Sequence, residues 1–283
     1  MDINYILTLI AFLNLAGDLY NIFRFRTQLP HWILKLNLGA LAICVVAFFS
    51  FPDECGYIAL PTLIGYHIIL RLRTRPIRRL QSSTGTPATI AIIALTALSF
   101  GNQLYNDAVD NPITLIQVGA LYSPFVEAGE WWRLFSAQFI HWGIAHLALN
   151  MLGLWFLGRS VERTLGTSRY VAAYLLCGAG GMTIAWLTNY ITNPGNPIIL
   201  LGASASVLGM VGLQAALSLI AYRRTGSMIA KAQLAAMTQI IALQTIFDLS
   251  VPQVSSTAHI GGAASGFLIG LVIANRRKPQ IIT

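Results

Sequence analysis

The chain of 283 residues is 55% hydrophobic and only 10% charged, with 18 basic and 10 acidic residues and a formal net charge of +8. Ordinary soluble domains carry about 25% charged residues. The composition therefore excludes a large soluble domain and describes a polytopic membrane protein.

Hydrophobic stretches run over roughly 3–23, 33–52, 57–70, 87–106, 134–157, 170–190, 198–222, 229–249 and 257–275. A membrane-spanning helix takes about 20 residues, with a range of roughly 17–25. Eight stretches reach that length, and the third, Tyr57 to Leu70 with Pro61 and His67 inside it, is short. The N-terminal stretch begins Met1-Asp2 and lacks the positive start of a signal peptide, so it reads as a span.

The connections alternate in charge. Arg24, Arg26 and Lys35 follow the first stretch, Asp53 and Glu54 the second, and Arg71, Arg73, Arg75, Arg78 and Arg79 the third. A long fourth connection carries Asp107, Asp110, Glu127 and Glu130 against one cation, Arg133. Then come Arg159, Arg163 and Arg169, an uncharged turn, Arg223, Arg224 and Lys231, another uncharged turn, and Arg276, Arg277 and Lys278. Seventeen of the eighteen basic residues thus share one side if every stretch spans, and positive-inside makes that side cytoplasmic. The N-terminus is then outside and the C-terminus inside. The basic charge is a topology signal, not a nucleic-acid footprint.

The Arg-rich run from 71 leads into Gln81-Ser82-Ser83-Thr84-Gly85-Thr86, the best linker in the chain. It divides three N-terminal segments (1–80) from a six-segment unit (87–275), with 81–86 between them and a basic tail over 276–283. Cys44, Cys55 and Cys177 have no metal-ligand spacing and read as small buried hydrophobes. His31 and His67 read as interfacial or packing residues, and Asp18 as a paired or snorkelling carboxylate.

Polar residues inside spans must be satisfied by protein or water, so they mark a site. Ser204 lies about six residues into its stretch and His259 about two into its own, both within roughly 10 Å of the outer end at 1.5 Å per residue. His141, His146 and Asn150 occupy the outer and middle part of 134–157. An imidazole beside a serine hydroxyl is a minimal hydrolytic pair, because the ring takes the proton that blunts the nucleophile. His146 and Asn150, four apart, share a helix face and suit an oxyanion hole, with the Ser204 amide as a further donor. His141 is offset by about 140° on an ideal helix, so it points elsewhere or sits just above the first regular turn, with a structural role. Ser206 is expected to bond the carbonyl four residues back. Gly262, Gly266 and Gly270, facing Ala205, Gly209 and Gly212, form small-residue stripes that let two membrane helices approach closely.

Over residues 87–275 the chain resembles the rhomboid family of intramembrane serine proteases. The resemblance rests on Glu130-Trp131-Trp132-Arg133, His141-x4-His146-x3-Asn150, Glu162-Arg163-x-x-Gly166, Gly202-Ala203-Ser204 and Ala258-His259-x-Gly261-Gly262-x3-Gly266, in that order. It implies an all-α membrane helix bundle with a six-helix core, Ser204 as nucleophile, and His259 as general base. It further implies His146, Asn150 and the Ser204 amide as oxyanion donors, and His141, Gly202, Glu130, Trp132 and Arg133 in support. The outer loop is implied to be a half-embedded hairpin. Substrates are implied to be transmembrane helices cut near their outer ends in a bilayer, in the setting of a bacterial inner membrane, with no metal and no cofactor. One departure stands out: the family's Gly-x-Ser-Gly reads Gly202-Ala203-Ser204-Ala205 here, which predicts surviving helix contact and reduced activity.

Two rival functions are weaker. A catalytically silent relative that binds membrane clients is favoured by Ala205 and opposed by retention of the serine, both histidines and the asparagine. A transporter would show repeated halves or broken helices at midplane. Zinc-dependent intramembrane proteolysis would need His-Glu-x-x-His, which does not occur, and aspartyl chemistry a pair of aspartates within the spans. Asp248, near the outer end of its stretch, could orient His259, although a carboxylate at a helix end needs no such task.

Overall fold

A computed structural model describes residue 15 and residues 37–44, 85–109, 111–250 and 255–276. These group into two units. One holds the described residues up to 44 together with 242–250, and the other holds 85–241 and 255–276. In the first unit residues 37–44 are helical, and the buried Asn37 donates its Nδ2 to the Leu15 carbonyl at 3.0 Å. Most of the three expected N-terminal segments, the start of the linker and the basic tail lie outside the described residues.

Six long helices appear among the described residues: α1 (Pro87–Tyr105), α2 (Gly143–Leu165), α3 (Thr167–Thr192), α4 (Ser204–Thr225), α5 (Met228–Ser250) and α6 (Ser256–Arg276). Five of them are long and apolar enough to cross a membrane, α4 being the most deeply buried of these. The protein is an integral, multi-pass membrane protein built as an α-helical bundle.

The ends of the helices follow from local chemistry. α1 starts with Pro87, whose missing N–H is one that a first turn cannot satisfy within the helix. The next donors, the Ala88 and Thr89 amides, are both taken at 2.9 Å by the carboxylate of Glu162 on α2. The Thr89 and Thr167 hydroxyls bond the same carboxylate at 2.7 and 3.1 Å. Glu162 therefore ties α1, α2 and the start of α3 together. Tyr170 and Tyr174 of α3 pack with Leu154, Val161, Met210 and Leu213 into the adjoining core.

Two expected spans begin later than the hydropathy suggests. The stretch 134–157 becomes a short helix Arg133–Ser136, a 3₁₀ turn Ala137–Phe139, an extended Ile140, and only then α2 from Gly143 to Leu165. The stretch 198–222 begins with a short strand, and its helix starts at Ser204. Near both starts, backbone groups bond across to other segments: the His141 N–H and carbonyl to Gln103, the Gly202 N–H to the Ala137 carbonyl and the Ala203 N–H to the His141 ring. Strand β1 (Leu121–Tyr122) pairs antiparallel with β2 (Ile199–Leu200), in register Leu121↔Leu200 and Tyr122↔Ile199. This ladder joins the loop before α2 to the loop before α4.

α4 and α6 meet through backbone. A Cβ on Gly262 would run into the carbonyl group of Ala205, one on Gly266 into that of Gly209, and one on Gly212 into that of Ala263. Only glycine permits that approach.

Candidate active site

Ser204 is the first residue of α4 and His259 the fourth of α6. Their helices touch along the glycine stripe, and Ser204 Oγ lies 2.6 Å from His259 Nε2. Ser204 is half-buried and His259 buried. Ser204 does not stand six residues into a helix as the hydropathy implied. It opens one, so its own amide belongs to the first turn and has no acceptor within the helix.

The loop carrying Ser204 is held from outside. The Gly202 N–H donates to the Ala137 carbonyl at 2.9 Å, and the Ala203 N–H donates to His141 Nε2 at 3.3 Å. Gly202 has φ +112°, a left-handed conformation, and the His146 ring fills the space a side chain would need. His146 Cε1 and Nε2 lie 2.7 and 2.9 Å from where a Gly202 Cβ would be, and Ser204 Oγ lies 3.7 Å from that point. His146 and the serine hydroxyl thus border the same small space. His146 Nδ1 accepts the Trp142 N–H at 3.4 Å, which leaves the ring proton on Nε2, the edge turned toward that space.

Asn150 is buried, and its Nδ2 donates to the His146 carbonyl one turn earlier at 2.9 Å. One amide proton is therefore engaged by its own helix and one is left. His141 stands two residues before α2, the second of the two placements its offset allowed. It is buried, with its ring edge-on to His146 at 5.1 Å between centroids. The side chain of Gln103 on α1 grips the His141 backbone at both groups, donating to its carbonyl at 2.9 Å and accepting its N–H at 3.0 Å.

The loop between α1 and α2 is organised by Arg133, which is buried. Its Nε donates to Glu130 at 2.8 Å, and Nη1 donates to the Ile116 and Ala120 carbonyls at 2.6 and 2.8 Å. The guanidinium lies over the rings of Trp132 and Phe125, 4.5 and 4.9 Å from their centroids. Trp131 packs edge-on against Trp186 of α3 at 5.5 Å. Glu130, Trp132 and Arg133 therefore form the scaffold of this loop.

The Ala205 departure has a local solution. Its methyl faces Gly181 on α3, where an added Cβ would come within 2.9 Å of it, while its carbonyl faces Gly262 on α6. The methyl therefore does not separate α4 from α6. Ser206 differs from expectation: its hydroxyl donates to Gln138 Oε1 at 3.0 Å, not to a carbonyl one turn back. Gln103 and Gln138 were not singled out by sequence, and the available signal was an uncharged amide inside an apolar run. Asp248 accepts a hydrogen bond from Gln244 of its own helix at 2.8 Å. Cys44 and Cys177 are both buried, as small hydrophobes would be.

Residues 128–276 match the family model described as Rhomboid domain. Rhomboid protease GluP of Bacillus subtilis (strain 168) is 34% identical over 183 residues, covering 63% of this chain and 33% of that protein. RHOMBOID-like protein 5 of Arabidopsis thaliana is 33% identical over 166 residues, 58% of this chain and 50% of the relative. RHOMBOID-like protein 4 of the same plant is 34% identical over 185 residues, 64% and 44%. The chain spans half or less of the length of these relatives.

Proposed function

The chain belongs to the rhomboid family, and on that footing we propose that it is an intramembrane serine endopeptidase acting through Ser204 and His259. The observation that carries the reading is the 2.6 Å contact between hydroxyl and imidazole on two helices held together by backbone contact. A catalytic base must stand within about 2.6–3.2 Å of the proton it takes. The name of one relative, Rhomboid protease GluP, supports the same reading.

In this mechanism Ser204 Oγ attacks the scissile carbonyl carbon while His259 Nε2 takes the hydroxyl proton. The tetrahedral oxyanion is stabilised by the His146 Nε2–H, the uncommitted Asn150 amide proton and the Ser204 N–H. Collapse breaks the C–N bond, and the imidazolium gives its proton to the leaving amine. Water then attacks the acyl-serine with His259 again as base, releasing the acid and restoring both side chains. His141 and Gly202 shape this space, and Glu130, Trp132 and Arg133 hold the loop above it.

We assign residues 87–275 as the catalytic unit. The N-terminus and the acidic loop are outside, the basic loops and C-terminus are cytoplasmic, and the site opens outward. Substrates are transmembrane helices cut near their outer ends, because both dyad residues sit at helix N-termini on that side. The test is cleavage of a model transmembrane substrate in proteoliposomes. Wild type is expected to cut, and Ser204→Ala and His259→Ala each to abolish cutting while remaining folded. The double variant is expected to be barely worse than either, since the pair acts as one unit. Substantial cleavage by Ser204→Ala would overturn the assignment.

A further inference from the structure

The first turn of α4 is gripped from two directions. Ser204 meets His259, and Ser206, two residues on and about 200° further round the helix, meets Gln138 on the other side. Gln138 is fully buried in the 3₁₀ turn Ala137–Phe139. Its Oε1 accepts the Ser206 hydroxyl at 3.0 Å, and its Nε2 donates to the Leu134 carbonyl at 2.9 Å and to the Leu175 carbonyl of α3 at 3.2 Å. Both amide protons and the oxygen are therefore used, and one side chain joins the segment before α2 to α3 and α4.

The surroundings are shaped for this bridge. A Cβ on Gly178 of α3 would collide with both Ser206 Oγ and the Gln138 amide, so only glycine leaves room for it. Neighbouring contacts give the bridge its leverage. Ala137, beside Gln138, accepts the Gly202 N–H, and His141, three residues on, accepts the Ala203 N–H. The same short segment thus holds the loop before Ser204 by the Ala137 carbonyl and the His141 ring, and the helix after it by Gln138. A buried amide–hydroxyl pair is costly to break on one side only, because the partner left behind is desolvated and unpaired.

We propose that Gln138 and Ser206 form a positioning pair: their bond sets the rotation and height of the first turn of α4, and so aims Ser204 Oγ at His259 and the oxyanion donors. The inference rests on the Ser204–His259 reading and adds two residues that take no part in the chemistry.

The experiment separates positioning from stability. Ser206→Ala alone leaves Gln138 Oε1 unpaired and is expected to lower both the thermal midpoint and kcat. The double variant Gln138→Met/Ser206→Ala leaves no unpaired Oε1, although the Leu134 and Leu175 carbonyls lose their amide donor, so it is expected to recover only part of the midpoint lost in Ser206→Ala. Its kcat is expected to stay about 10- to 100-fold low although its midpoint lies above that of Ser206→Ala. KM is expected to hold, and Ser204 labelling by a fluorophosphonate to slow in parallel with kcat. A double variant that recovers both midpoint and kcat would overturn the pair's positioning role. So would one whose kcat loss merely tracks its midpoint. Ser204→Ala in the same assays reports on the underlying reading: if it cuts like wild type, the dyad falls and the pair with it. If it is dead while the double variant is fully active, only the pair falls.

Discussion

Gly262→Ala tests how the dyad distance is set. The added Cβ would stand 2.8 Å from the Ala205 carbonyl carbon and 3.0 Å from its Cα, with the carbonyl oxygen nearer still. Carbon–carbon contacts are comfortable at about 3.5–4.0 Å, and every atom met is backbone, so no side chain can swing aside. The two helices must part by roughly 0.5–1 Å. Added to the 2.6 Å Ser204–His259 contact, this stretches it to about 3.1–3.6 Å, at or past the reach of a general base. A misplacement of that order costs up to about 10²-fold in rate, and overpacking costs about 1–3 kcal/mol in stability. The assay is turnover of a model transmembrane substrate, with the thermal midpoint followed on the same preparation. Gly101→Ala on α1 is the control: nothing lies within 4 Å of its added Cβ, so activity should hold and stability rise by up to about 1 kcal/mol. Wild-type turnover in Gly262→Ala would refute the claim that backbone contact sets the dyad.

Asn150→Ala is expected to lower kcat by about 10²–10³-fold, the usual cost of one oxyanion donor, while fluorophosphonate still reaches Ser204; a change in thermal midpoint with turnover intact would remove the asparagine from the mechanism. Glu162→Ala strips four donors of their acceptor and should cost about 2 kcal/mol or more in a denaturation curve, with kcat per folded molecule little changed. Arg133→Lys keeps the charge but loses the fork that bonds Glu130 and two carbonyls, so limited proteolysis should cut within 112–142 faster than in wild type. Cysteine accessibility should label positions 110 and 195 from outside and 226 only after permeabilisation; external labelling at 226 would reverse the topology.

What the sequence revealed and what it hid have physical reasons. Small-residue stripes and helix periodicity made the α4–α6 approach legible, because both depend on residue type alone. Hydropathy made five long apolar helices legible among the described residues for the same kind of reason. The helix starts were not. Hydropathy cannot tell one long apolar helix from short helical turns, as over 133–139, or from apolar loop whose amides are bonded elsewhere, as at 141–142 and 198–203. The Ser206 bond is not legible because its partner, Gln138, is 68 residues away and leaves no periodic trace. Gln103 is silent for a related reason: its partner is the backbone of His141, which no side-chain pattern reports. The sequence predicts that the α4–α6 contact survives Ala205, and the placement of Gly181 gives the reason, with the methyl directed at α3.

The most direct measurement is peptide mapping by mass spectrometry after treating the membrane-reconstituted protein with a fluorophosphonate. The account predicts a single covalent adduct on Ser204, abolished by Ser204→Ala and strongly reduced by His259→Ala with the fold intact. An adduct on another serine, or equal labelling of Ser204 when His259 is alanine, would contradict it.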